Sequence, residues 1–343
     1  ACYRSEPLDQ QPAPLQYGDY ALWQIERTRT SAERSAYQAW LDEFAGPLPV
    51  LDLPLRAERP KLQTFSGSRV RTHLTEDALL ALRSRTQELG VTLAEVVLAA
   101  YTALLLRYAN QSEVIIGMPV DALRDRIGAE ASVGPFLNTA ALRMAPDSSA
   151  SFAALSRYAQ QRMRSAIDRA DLSFEDFVVD LGLEIDLSRS PLFQALYAYR
   201  STGADHLLLD HISVRPEPVS LPFARTDIAL WAQDHGDSLE LEIEYAQALF
   251  EPELMQQFAI DLTGMLSIVT ADADKPFADI ARETEPAPYA MGPSADPGTA
   301  TVVDRVLTVA ARLPERPAVR CGTAVLTYEM LQHQVASRIS PER

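Results

Sequence analysis

The run Val96–Tyr108 is apolar nearly all the way round a helical wheel, so this helix must be buried. Thr92-Leu93-Ala94-Glu95, directly ahead of it, has the form of a capping box and marks where the helix starts. Other helices read more conventionally. One spans Ser31 to Phe44, and a second is capped by Thr75 and ended by Gly90. Phe152–Ile167 is amphipathic, Ser173 caps a short helix ending near Gly182, and a last one starts at Glu251-Pro252 and runs to about Val269. Between them lie strand patterns. Gly67–Leu74 alternates, Glu113–Val120 and Leu137–Met144 read as buried strands, and Phe193–Arg200 is rich in aromatics. Asp227–Ala232 and Leu239–Tyr245 flank Asp234-His235-Gly236-Asp237, a hairpin signal. Irregular alternation of helices and strands with an antiparallel hairpin predicts an α/β or α+β fold, with helices packed on a mixed sheet.

Proline punctuates the rest. Residues 1–16 read as a connector, Pro47–Pro60 as a segment crossing the surface extended, and residues 284–300 as a linker with four prolines. A second short unit begins near Thr301. The two ends, Ala1-Cys2-Tyr3-Arg4 and Ser340-Pro341-Glu342-Arg343, read as cut from something longer.

Charge and residue usage narrow the function. A net charge of -16 repels a phosphate backbone, which argues against nucleic acid as a partner. Cys2 and Cys321 lie at opposite ends, outside any metal motif, and imply a reducing, cytoplasmic compartment. No apolar run approaches the roughly 18 residues of a membrane span. With 14 glycines, the chain has neither a Gly-x-Ser-x-Gly elbow nor a phosphate-cradling loop. The acids Asp171, Glu175, Asp186 and Asp227 are scattered and read as ion pairs and helix caps. Tyr17, Tyr20 and Trp23 form one helical stripe, for which packing is the favoured reading.

Four segments, in order, resemble signatures of condensation domains from nonribosomal peptide synthetases. Tyr17-Gly18-Asp19-Tyr20-Ala21-Leu22-Trp23 is similar to Tyr-x-Asp-Tyr-Ala-x-Trp. Val133-Gly134-Pro135-Phe136-Leu137-Asn138-Thr139, closing on Arg143, resembles Gly-x-Phe-Val-Asn-Thr. Asp171-Leu172-Ser173-Phe174-Glu175 resembles the end of Gln-Asp-x-Pro-Phe-Glu, and Asp186-Leu187-Ser188-Arg189-Ser190-Pro191-Leu192-Phe193 resembles Arg-Asp-x-Ser-Arg-Asn-Pro-Leu. The departures are Arg169-Ala170 ahead of the third segment, Ser173 for proline, Ser190 for asparagine and Ile185 for the first arginine. Pro317-Ala318-Val319 and Leu326-Thr327-Tyr328-Glu329-Met330-Leu331 are similar to the opening of adenylation domains.

The resemblance implies a chloramphenicol-acetyltransferase-like subdomain over residues 17–283 with helices on one face of a mixed sheet, the C-terminal half of a condensation domain, with residues 301–343 opening a truncated adenylation domain. It implies peptide-bond formation between thioesters on phosphopantetheine arms, with no cofactor or metal bound directly. Expected partners are the carrier domains upstream and downstream, the adenylation domain in cis and the N-terminal half; nucleic acid and membrane are not. The family's His-His-x-x-x-Asp-Gly motif does not occur: the histidines are His73, His206, His211, His235 and His333, none adjacent. A general base must reach its proton within hydrogen-bond distance, so the chain alone is expected to be inactive. Gly134, Phe136, Asn138 and Thr139 are implied to line a substrate channel. Asn138 equally suits plain bonding to neighbouring backbone. Arg189 is implied to pair across the two halves; without that partner it should face solvent or be caught by Asp186. The loop Pro119–Val133 is implied to cross to the other half, and is expected to be exposed and mobile. The alternative function is a non-catalytic docking platform for a carrier protein, an adenylation domain or a tailoring oxygenase. An epimerising relative is disfavoured by the adenylation-like tail.

Overall fold

The computed structural model describes residues 15–27, 30–121, 132–184, 186–201, 221–283, 302–312, 314–321 and 324–339. Residues 1–14 of the expected connector, most of the Pro119–Val133 loop, His206, His211 and the 284–300 linker lie outside them. The chain divides into two compact units, residues 1–290 and 291–343.

In the first unit the order is α1 (Tyr17–Arg27), α2 (Ser31–Glu43), β1 (Gly67–Leu74), α3 (Glu76–Leu89), α4 (Leu93–Ala109), β2 (Val114–Val120) and β3 (Asn138–Met144). Then come α5 (Phe152–Asp168), α6 (Phe174–Asp180), β4 (Ala195–Ser201), β5 (Ile228–Asp234), β6 (Leu239–Ala246), α7 (Pro252–Ala271) and α8 (Phe277–Glu283). The expected caps form. Thr75 accepts from the Ala78 N–H at 3.4 Å, and Gly90 ends α3 at φ +69°, a left-handed turn that glycine takes without penalty. In the capping box Thr92 N–H donates to Glu95 Oε2 at 2.6 Å and Glu95 N–H to Thr92 Oγ1 at 3.3 Å. Gln160 adds a third bond to that carboxylate at 3.0 Å, which lets a charged cap sit buried.

The six described strands of this unit form one sheet in the order β1-β6-β5-β4-β2-β3, with β4 parallel to both β5 and β2 and the outer pairs antiparallel. Helices α3, α4, α5 and α7 pack on one face. α4 touches β2 and β5 beneath it and α3, α5, α7 and α8 around it, which is why it carries almost no polar side. Helix α7 is, among the described residues, the one long and apolar enough to cross a membrane. This corrects the expectation that nothing approaches such a length. Its Met255, Phe258, Leu262, Met265, Leu266 and Val269 are buried in this core instead.

The opposite face is also covered at its β2–β3 end. Side chains alternate along a strand, so Ile115 and Ala141 point away from Val114, Ile116, Ala140 and Leu142. There they meet Trp40 and Phe44 near the end of α2, Phe177 of α6, and Leu172, Leu192 and Phe193. Trp40 stacks on Phe177 with centroids 3.7 Å apart and planes 3° apart. Glu43 ties α2 to α5 by pairing with Arg162 and with Arg169, the latter at 2.6 Å. Helices therefore pack on both faces of the mixed sheet, not on one as expected, because Ile115 and Ala141 are apolar on the second face and need cover. Further along, this face carries cross-strand pairs, Arg69 with Glu242 (2.8 Å) and Glu244 (2.7 Å), whose largely buried carboxylates need such partners.

The second unit holds α9 (Val302–Arg312), a β7 (Pro317–Cys321)–β8 (Ala324–Thr327) antiparallel hairpin and α10 (Tyr328–Ile339). Thr327 starts α10 by accepting from the Met330 N–H at 3.3 Å.

Candidate functional site

The motif residues fall into two groups set by the sheet register. Asn138 pairs with Val120 at the C-terminal end of β2, whereas Ala195 and Ile228 begin β4 and β5, which run parallel to β2. The Gly-Pro-Phe segment thus lies toward one end of the sheet and the segment leading into β4 toward the other.

At the first end, α1 lies against the segment before β3. Rings of Tyr17 and Tyr20 meet Phe136 at centroid distances of 5.3 and 5.0 Å, and Tyr20 meets Trp23 at 5.9 Å. Tyr17 and Tyr20 pack on Phe136 and also line the groove described below, while Trp23 is exposed. Gly134 permits that packing: a Cβ there would lie 2.5 Å from the Tyr17 ring. Asp19 is exposed in the first turn of α1, where a carboxylate suits the helix dipole. Gln24 anchors α1 by donating to the Asp171 carbonyl at 3.0 Å.

Asn138 is fully engaged by backbone. Its Nδ2 donates to the carbonyls of Ala170 and Leu172, both at 2.7 Å, and its Oδ1 accepts from the Thr139 N–H at 2.8 Å. Asn138 thus bonds to neighbouring backbone and also lines the groove described below. Those carbonyls belong to the turn that leads into α6, so Asn138 joins two motif segments. Ser173 caps α6 through the Asp176 N–H at 3.1 Å, Phe174 packs 5.8 Å from Phe193, and Glu175 stays exposed. Together α1, the Phe136–Asn138 segment and the start of α6 wall an open groove of about 510 Å³, with Tyr17, Gln24, Leu137 and Glu175 among its lining.

At the second end, the Asp186–Pro191 loop turns on its own acid. Asp186 accepts from the Ser188 N–H at 2.9 Å, and its carboxyl is held below the usual range first by Ser188 and then by Arg189. Arg189 pairs with Asp186 at 2.6 Å, as expected for a local catch. Arg189 is 26% exposed and Asp186 48%. Such a pair contributes little, so Arg189→Ala should change the unfolding free energy of this chain by no more than about 1 kcal/mol. Urea melts of the two proteins check this, and a larger loss would assign Arg189 to the core.

Asp227 forms an ion pair, as expected, but sequence reasoning did not single out its partner, Arg59. Arg59, from the proline-rich segment, donates through Nη1 to Asp227 Oδ1 at 3.0 Å and through Nη2 to Oδ2, and Nη1 also reaches the Ser188 carbonyl at 3.3 Å. The available signal was an aspartate directly ahead of an apolar strand, with no helix there for it to cap. His73 and His235 are exposed at the β1 end and the hairpin turn, and His333 lies in the second unit. Among the described residues no group of three His, Cys, Asp or Glu side chains is arranged for a metal ion.

Helices on a mixed sheet of this order define a chloramphenicol-acetyltransferase-like fold. The family model described as "Condensation domain" matches residues 1–285. The chain is 32% identical over 332 residues to tyrocidine synthase 3 of Brevibacillus parabrevis, covering 94% of this chain and 5% of that protein. It is 32% identical over 333 residues to surfactin synthase subunit 1 of Bacillus subtilis (strain 168), covering 95% of this chain and 9% of that protein. It spans less than a tenth of either synthase. Among solved structures, the X-domain from teicoplanin biosynthesis superposes with a TM-score of 0.70 at 25% identity, over 79% of this chain and 63% of that one. The condensation domain of the monacolin K polyketide synthase MokA does so with a TM-score of 0.69 at 21% identity, over 81% and 65%. The chain belongs to the condensation-domain family.

Proposed function

We propose that residues 17–283 act as the C-terminal half of a peptide-bond-forming condensation domain. The acyl or peptidyl donor and the aminoacyl acceptor are thioesters on the phosphopantetheine arms of flanking carrier domains, in the cytoplasm. The observation that carries this reading is the groove: residues of two separate motif segments, Pro135–Asn138 and Ser173 with Glu175, wall one open cleft, and the segments are joined through Asn138. In this reading Gly134, Phe136, Asn138 and Thr139 shape the acceptor side of the channel, Asn138 by holding its walls. The chemistry needs a base that this sequence lacks, so the N-terminal half of the domain supplies it. Residues 301–343 open an adenylation domain in cis, a reading supported by the strand, hairpin and Thr327-capped helix at the expected motif.

The test loads two carrier domains with aminoacyl thioesters and measures dipeptidyl thioester formation. The chain alone should give the uncatalysed background, and the chain joined to a half carrying His-His-x-x-x-Asp-Gly should exceed it. Turnover by the chain alone, or none by the joined protein, would overturn the proposal. Likeness to the X-domain, which has been solved in complex with OxyB, favours a docking platform as the second reading. Silence of the joined protein together with saturable binding of a tailoring oxygenase would support it.

A further inference from the structure

We propose that Arg59, pinned by Asp227, is the positioning residue that sets the Asp186–Pro191 loop and through it Arg189. The inference rests on the reading above, in which this loop serves the condensation site.

Carbonyls of the loop are held from outside it. The Leu187 carbonyl accepts from Gln63 N–H at 2.8 Å, the Ser190 carbonyl from Gln194 Nε2 at 3.2 Å, and the Ser188 carbonyl from Arg59 Nη1 at 3.3 Å. Of these donors only Arg59 is charged; it and Gln194 hold the residues on either side of Arg189. Its guanidinium is itself fixed. Asp227 takes it in a two-pronged grip, the pair is 12% and 4% exposed, and the Asp227 carbonyl accepts from Ala246 N–H of β6 at 2.9 Å. A rigid sheet therefore holds a carboxylate, the carboxylate holds a planar cation, and the cation holds the residue before Arg189.

Arginine is suited to this link in a way lysine is not. The guanidinium offers N–H donors in a fixed fork, so it can grip both carboxylate oxygens and still aim one N–H at Ser188. An ammonium can neutralise Asp227 but cannot span both partners in that geometry. Among the described residues Arg189, at the far end of the chain of contacts, pairs with the half-exposed Asp186, and its Nε is buried against the loop's surroundings. A shift of the loop backbone therefore carries the guanidinium with it.

The test uses Arg59→Lys, which keeps the charge beside Asp227, in two assays. In the 343-residue chain, amide exchange of residues 187–190 should speed up about tenfold while β4, β5 and β6 keep their protection. Unchanged exchange in the loop, or a uniform rise across the sheet, would overturn the positioning role. In a synthetase carrying the complete domain, Arg59→Lys and Arg189→Ala should each lower the turnover number roughly tenfold or more, and the double variant no further than Arg189→Ala alone. Additive losses would overturn the coupling. Wild-type turnover by Arg189→Ala with a loosened loop would instead sink the reading of the loop as part of the site and leave the positioning intact.

Discussion

Arg59→Ala will lower the unfolding free energy of the first unit by about 3–5 kcal/mol, the range for removing one member of a buried ion pair. The cost comes mostly from what remains. Asp227 is 4% exposed, and its two oxygens lose both guanidinium donors at once. Desolvating an ion without a partner is far more costly than losing an attraction. Urea melts followed by tryptophan fluorescence measure the change, since Trp40 and Trp231 lie in different parts of the sheet's second face. The control separates charge from packing: Arg59→Met with Asp227→Leu removes both ions and should recover most of the loss. A loss under about 1 kcal/mol for Arg59→Ala would show that the pair behaves like an exposed one.

Phe177→Ala should cost a similar amount, about 3–5 kcal/mol, by a different route. The ring is fully buried, stacked on Trp40 at 3.7 Å and edge-on to Phe44 at 5.3 Å. Its removal opens a cavity in the smaller cluster rather than the main core. The effect should therefore be local as well as large. Helices α2 and α6 should lose amide-exchange protection, while α4 and the strands beneath it retain theirs. Since α6 forms one wall of the groove, ligand contacts there should weaken too. Equal loosening of α4 would mean the two faces of the sheet unfold as one unit.

The histidine inventory was as legible in the sequence as anything in the chain, and it directs attention away from catalysis by these residues alone. The motif segments were legible as well, because each is short and contiguous. Which of them share a groove was not. Tyr17 and Gly134 are neighbours only because a ring fills the space a Cβ would take. That the Asn138 amide lies between the carbonyls of Ala170 and Leu172 while the residue also lines the groove is visible only in the fold. Arg59 sat in a proline-rich segment that reads as surface, and its partner is 168 residues away.

By itself the sequence determined the elements: the capping box at Thr92, the stop at Gly90, the enclosed helix α4, the hairpin at Gly236 and the strands between them. These depend on bonds and periodicities within a few residues, which is the range over which a linear pattern carries information. The tertiary structure alone decided that helices cover both faces of the sheet, that Trp40 stacks on Phe177, and that Arg59 reaches Asp227 and Ser188. Each of those is a contact between segments brought together by the sheet order β1-β6-β5-β4-β2-β3. Its partners are chosen by three-dimensional fit and by the need to pair buried charge, and neither leaves a mark on residue spacing.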